Sequence, residues 1–208
     1  DIAKTNKWLN LRFTAHIEGY INVMQEQELN TKETQKRREK DLQKKQSMDT
    51  KCRVCGQRGE SVYHIVCSCP ILAPTLYLEI RHNQVARIIY QEILMKDQMV
   101  LKPTPVTKTD ELEIWWDIPV KTTPKIQNNR PDIIIWNIKE KVCKIVEITV
   151  PLDTNLQTAY NTKELKYISL ISRMQQLYGN YKYNVIVITI GALGTIPKSL
   201  EENLKKTV

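Results

Sequence analysis

The chain has 208 residues, 41% of them hydrophobic, and its 31 Lys and Arg outnumber its 23 Asp and Glu, giving a net charge of +8 and an isoelectric point near 9.2. That is enough apolar material for the core of one large domain or two small ones, and the basic balance favours a polyanionic partner. No apolar run reaches the ~18 residues of a membrane span and the N-terminus lacks the apolar stretch of a signal peptide, so neither a membrane nor a secretory route is expected; with Asp1 in first place, the chain reads as a piece of a longer polypeptide.

In chain order, Trp8, Leu9, Phe13, Ile17, Ile21 and Met24 recur near helical spacing, which predicts one amphipathic helix or two short ones within 6–28. The stretch 31–51 is polar and basic, with "KRREK" at 36–40. Lys36, Arg37, Arg38 and Lys40 there belong to a solvated helix face or mobile linker, or form a nucleic-acid contact. Next comes a cysteine cluster, followed by "LYLEIRHNQVARIIYQEILMK", in which Leu78, Val85, Ile88, Ile89, Ile93 and Leu94 predict a helix. "KPTPVTKTD" at 102–110 breaks it. Strands are expected near 113–117, 132–137 and 143–150, then a helix over 158–178 and an apolar run at 183–194. This β-β-α-β order predicts an α/β fold, a mixed sheet flanked by helices, with the helix before the strands packing on one face. The domains expected are a helical basic linker at 1–51, a small knuckle at 52–77 and a larger unit at 78–208.

The cluster reads Cys52-x2-Cys55-x8-His64-x4-Cys69, with Cys67 between the last two. Two thiolates on a tight turn, an imidazole and a third thiolate are a ligand set for tetrahedral zinc. Gly56 and Gly59 suit the turn. Reduced buried cysteines or disulfides are the alternatives, and five cysteines, an odd number, disfavour full pairing. Cys69 is preferred as fourth ligand and Cys67 is the alternative. Cys143, inside a predicted strand, reads as core.

Asp132 and Glu147 pose a question of burial. Each lies in a run of isoleucine, valine and tryptophan, where an isolated carboxylate costs several kcal/mol unless it is paired or binds a cation. Paired as a hairpin, the two strands would bring these acids to one end of the sheet, where they could share a divalent cation, Mg²⁺ or Mn²⁺. Pro131-Asp132, then Glu147 on the next strand, resembles the skeleton of the PD-(D/E)xK nuclease fold. The lysine usual two residues after the second acid is replaced by Thr149. Lys163 and Lys166, three apart on the next helix, are candidate substitutes or simply solvated helix lysines. Asp153 is a third acid or a turn residue; Arg130 is a phosphate contact or the partner of a surface acid. His82 is a helix-surface imidazole near the site or a structural one. Trp115 and Trp116 are core residues or stacking platforms.

Seven segments in series, "EGYINVMQEQELNT", "CRVCGQRGE…HIVCSC", "RHNQVARIIYQEI", "NRPDIIIWN", "VEITVPLDTN", "KELKY" and "VITIGALGTIP", make the chain resemble the C-terminal part of non-LTR retrotransposon polyproteins that carry a restriction-like endonuclease. The resemblance implies a linker, a Cys-Cys-His-Cys zinc knuckle and a PD-(D/E)xK endonuclease similar to archaeal Holliday-junction resolvases. It implies that Asp132 and Glu147 bind the catalytic metal and that one of the "K..KY" lysines, Lys163 or Lys166, is catalytic. It further implies a nuclear enzyme that nicks target DNA to prime reverse transcription, acting with element RNA and an upstream reverse transcriptase. Glu147 stands where many members have Asp. A zinc-containing nucleic-acid-binding module with an inert nuclease half is the other reading.

Overall fold

The computed structural model describes residues 30–94 and 103–207. The helix or helices expected within 6–28 lie outside the described residues. The basic stretch becomes two short capped helices, α1 (Lys32–Arg38) and α2 (Leu42–Ser47). Thr31 and Thr34 cap α1 reciprocally, with Glu33 in its first turn and Lys36, Arg37 and Arg38 in its last, as the helix dipole favours. Asp41 caps α2 by accepting from the N–H groups of Gln43 and Lys44.

A helical segment with wide, π-type turns, Ala73–His82, runs directly into α3 (Asn83–Ile93). α3 buries Ala86, Ile89, Tyr90 and Ile93, while Leu78 and Ile88 are left exposed. The wide turns carry more residues per turn than an α-helix, so Leu78 falls out of register with the apolar stripe of α3, and Ile88 lies on the face of α3 away from Ala86, Ile89, Tyr90 and Ile93.

The sheet has five strands in sequence order: β1 (Val106–Lys108), β2 (Leu112–Trp116), β3 (Ile133–Asn137), β4 (Val142–Thr149) and β5 (Lys182–Thr189). The first four form an antiparallel meander, and β5 joins β4 in parallel. The crossover between them is a 3₁₀ turn (Asp153–Asn155), α4 (Leu156–Lys166) and α5 (Ile168–Tyr178); α6 (Ser199–Thr207) follows β5. The fold is thus α/β with a mixed sheet, as the element order predicts. β1 and α6 are additions to the expected elements.

Alternation along the strands sends residues to two cores. Ile133, Ile135, Val146, Ile148, Ile186 and Ile188 pack with α3, Leu200 and Leu204 on one face. Ile134, Trp136, Cys143 and Ile145 pack with Tyr167, Leu170 and Met174 on the other. Cys143 is core, as expected. The single helix expected over 158–178 is two helices that break at Tyr167, whose φ of −103° and ψ of 9° interrupt the α geometry. The break turns Tyr167 into the core with no exposed surface. No helix among the described residues is long and apolar enough to cross a membrane.

Candidate functional site

Two sites stand out, beginning with the cysteine cluster. Lys51 and Gly59 form an isolated antiparallel bridge, and between them the Cys52 N–H donates to Arg58 O at 2.7 Å and the Gly56 N–H to Cys52 O at 2.8 Å. Gly56 sits at φ +67°, where a side chain would be strained. The ligand atoms of Cys52, Cys55, His64 and Cys69 all lie within 4.8 Å of one another. His64 Nε2 is 3.3 Å from Cys55 Sγ, and its buried Nδ1 has no partner. The Cys55 thiol is drawn down to about 6, first by the Gln57 N–H and then by the Arg58 N–H and His64, against the opposing effect of burial. Three sulfurs and one imidazole in one small volume suit tetrahedral zinc, so the residues present could hold that ion. Cys67 lies apart from this group. It packs beside Val62, Val66 and Leu152, where burial pushes its thiol up. Cys69, not Cys67, therefore completes the four donors.

The knuckle is tied to its surroundings on both sides. Glu60, 1% exposed, accepts from Arg53 Nη2 at 2.5 Å, Arg53 N at 2.8 Å and Lys32 N at 3.1 Å, which fastens α1 to the knuckle. The Arg53 guanidinium holds the Glu60 carboxyl down to about 2. On the other side Val62 and Val66 pack with Leu152, Ala192 and Leu193 from the loops after β4 and β5. The expected division at 77/78 falls within the continuous helical segment Ala73–His82.

The second site is built on β4. The ladder pairs Ile133 with Val146, so Asp132, one residue before β3, stands opposite Glu147 at the same end of the sheet. Glu147 is 2% exposed. Its Oε1 accepts from the ammonium groups of Lys163 and, at 2.7 Å, Lys166, both in the last turn of α4. Its Oε2 accepts from the Tyr167 hydroxyl. Burial, then the Glu147 charge, pushes the Tyr167 phenol well above its usual range and keeps it a donor. The Lys166 ammonium also lies 4.8 Å from the centre of the Tyr167 ring.

Asp132 has other partners. Its Oδ2 accepts from the Ile148 N–H at 2.7 Å and lies 3.3 Å from His82 Nε2. Burial would lower His82, but the Asp132 hydrogen bond and charge outweigh it and raise the imidazole to about 9. Thus four predicted residues, Asp132, Glu147, Lys163 and Lys166, meet at one end of β3 and β4, and His82 joins them from the joint before α3. Among the described residues only the Cys/His group gathers three or more metal-ligating side chains of the Cys, His, Asp or Glu type. The carboxylate pair offers two.

The remaining candidates lie apart from the two acids. Asp153 accepts from the N–H groups of Leu193 at 2.8 Å and Thr195 at 2.9 Å, so it clamps a loop instead of joining the two acids. A Cβ on Gly191 would lie 2.3 Å from Asp153 Oδ1, which is why glycine occupies that loop. Arg130 pairs with the exposed Asp117 at 2.8 Å. Trp115 packs on Trp136 and Tyr178, and Trp116 on Tyr90, so both rings serve the two cores. Lys36 is half-buried, and Arg37, Arg38 and Lys40 are exposed around the end of α1. The sequence reading missed Tyr167 and Glu60 as site-forming groups. A tyrosine directly after Lys166 and an acid between the cysteine pair and His64 were the available signals. No family model matches the chain, and no curated protein matches it.

Proposed function

We propose that the chain is a metal-dependent DNA endonuclease of the restriction-like, PD-(D/E)xK type, with a zinc knuckle, from a non-LTR retrotransposon. It nicks one strand of target DNA and leaves a 3′-hydroxyl that primes reverse transcription of the element's RNA by an upstream reverse transcriptase in the nucleus. One observation carries this reading: a 2%-exposed carboxylate on a central strand, opposite a second acid, contacted by two lysines from the following helix. Such convergence of opposite charge in a low-dielectric setting is costly to build for stability alone.

Asp132 and Glu147 are hard oxygen donors suited to Mg²⁺ or Mn²⁺. Asp132 leaves Oδ1 outside its hydrogen bonds, and Glu147 has both oxygens engaged by displaceable cationic or phenolic donors. A bound divalent ion supplies an activated water and neutralises phosphate charge. His82 and the Ile148 N–H orient Asp132, and Tyr167 orients Glu147. Lys163 or Lys166 would orient the attacking water and stabilise charge growing on the phosphorane oxygens. The four knuckle ligands would hold zinc in a purely structural role, and Lys36, Arg37, Arg38, Lys40 and Arg130 would meet DNA phosphates.

A second reading is a zinc-containing nucleic-acid-binding module with an inert nuclease half. It draws on the same observation, since Glu147 is already neutralised by lysines. Supercoiled plasmid incubated with the zinc-loaded chain and Mg²⁺ separates the two. The endonuclease should yield open circles, abolished by EDTA and by Asp132→Ala. Tight DNA binding without Mg²⁺-dependent nicking would leave the binding module.

A further inference from the structure

We propose that the chain has a second phosphate-binding site, in the cavity lined by Leu156, Gln157, Tyr160, Thr189, Pro197 and Ser199. Thr189 ends β5 and is 3% exposed, yet its buried hydroxyl has no hydrogen-bond partner. A hydroxyl buried in that way forfeits its hydration without return. Thr189 lines a cavity beside which two helices begin: α4 at Leu156 and Gln157, directly after the 3₁₀ turn Asp153–Asn155, and α6 at Ser199. The Asn155 side chain makes no capping bond to α4. Helix starts present backbone N–H groups without intrahelical partners and the positive end of the dipole, the chemistry that selects a phosphate. The first-turn carboxylates of α6, Glu201 and Glu202, are offset by Lys205 at 2.6 Å and Lys206 at 2.7 Å.

The position gives this site its use. Thr189 pairs with Thr149, two residues beyond Glu147 on β4, and strand alternation puts all three on one face. Standard strand rise and spacing separate the Glu147 and Thr189 Cα atoms by about 8 Å. A nucleic-acid strand with its scissile phosphate at Glu147 would carry a neighbouring phosphate to the cavity. This assignment to a nucleic-acid phosphate rests on the endonuclease reading; phosphate binding itself does not. The site would fix the strand's register, with Thr189 donating to a phosphate oxygen and the helix starts meeting the others.

The test uses the zinc-loaded full chain at constant ionic strength. Titrated with inorganic phosphate, the wild type should show saturable amide shifts at Leu156, Gln157 and Ser199 that chloride does not reproduce. Thr189→Val, which replaces the hydroxyl with a methyl of similar size, should fold normally and bind phosphate at least tenfold more weakly, and Thr189→Ser should restore binding. A 5′-phosphorylated oligonucleotide and an internal phosphodiester of equal length then tell a free or terminal phosphate from a strand passing through. Tighter binding of the first assigns a phosphate end, and equal binding assigns the strand. Absence of saturable shifts, or equal phosphate affinity in Thr189→Val and wild type, would overturn the site whatever the nicking assay gives.

Discussion

At the scale of single residues, Glu147 is satisfied from three directions, and that changes what its loss should do. Removing it leaves the Tyr167 hydroxyl buried without an acceptor and two ammonium groups without their anion. Glu147→Ala should therefore lower stability, by about 1–3 kcal/mol for the orphaned donors, and, on the proposed endonuclease function, abolish nicking; thermal melts alongside plasmid assays check both. Because both ammonium groups reach Oε1, either lysine alone keeps a cation at the carboxylate. The Lys163→Ala, Lys166→Ala double variant should lose on the order of 10² to 10⁴ in nicking rate, more than either single change. A wild-type rate in the double variant would remove the lysines from the mechanism. Glu60 gives a pH dependence of its own. Its folded pKa of about 2 lies below the unfolded carboxylate value, so its contribution is fully present above the unfolded pKa and is lost as pH falls through about 2. Acid titration of stability should show a shallower loss in Glu60→Gln than in wild type, and superimposable acid limbs would contradict the Arg53–Glu60 linkage.

At the scale of elements, the knuckle has few apolar residues of its own. Val62 and Val66 pack with Cys67 and with loop residues Leu152, Ala192 and Leu193. Metal binding should then supply much of the local folding energy. Purified protein is expected to carry about one equivalent of zinc, and its removal by chelator at neutral pH should expose the amides of 51–72 to hydrogen exchange while leaving those of β3 and β4 protected. Less than half an equivalent of zinc, or unchanged exchange on chelation, would count against the metal. The α4–α5 break is the other decisive element. A straight helix would have carried Tyr167 around the axis with its neighbours, whereas the break puts its hydroxyl on Glu147 and its ring beside Leu170 and Met174.

At the scale of the whole molecule, a net charge of +8 makes binding to a polyanion salt-dependent. Residues 32–53 hold nine Lys or Arg against four Asp or Glu, six of the basic residues on the two short helices α1 and α2, the first of which is fastened to the knuckle through Glu60. If these helices meet phosphates, replacing Lys36, Arg37, Arg38 and Lys40 with Gln should weaken DNA binding and flatten the slope of log affinity against log salt by roughly one unit for each phosphate no longer neutralised. An unchanged slope would make them a solvated face.

The sequence by itself determined the strand runs, the mixed sheet and the zinc-type donor set, because periodicity and ligand spacing are local properties written into consecutive residues. It also placed Asp132 and Glu147 on facing strands, since a two-residue alternation and a short turn fix register. Only the tertiary structure decided between Cys67 and Cys69, as the backbone after His64 turns one sulfur to the other ligands and the other toward Leu152. It likewise decided what compensates the buried acids. Asp132 uses a helix-joint imidazole 50 residues away, and Glu147 uses lysines 16 and 19 residues away with the tyrosine after them. Partners at such separations are set by how helices cross the sheet, and the break at Tyr167 that completes the group answers to a buried carboxylate the local sequence does not contain.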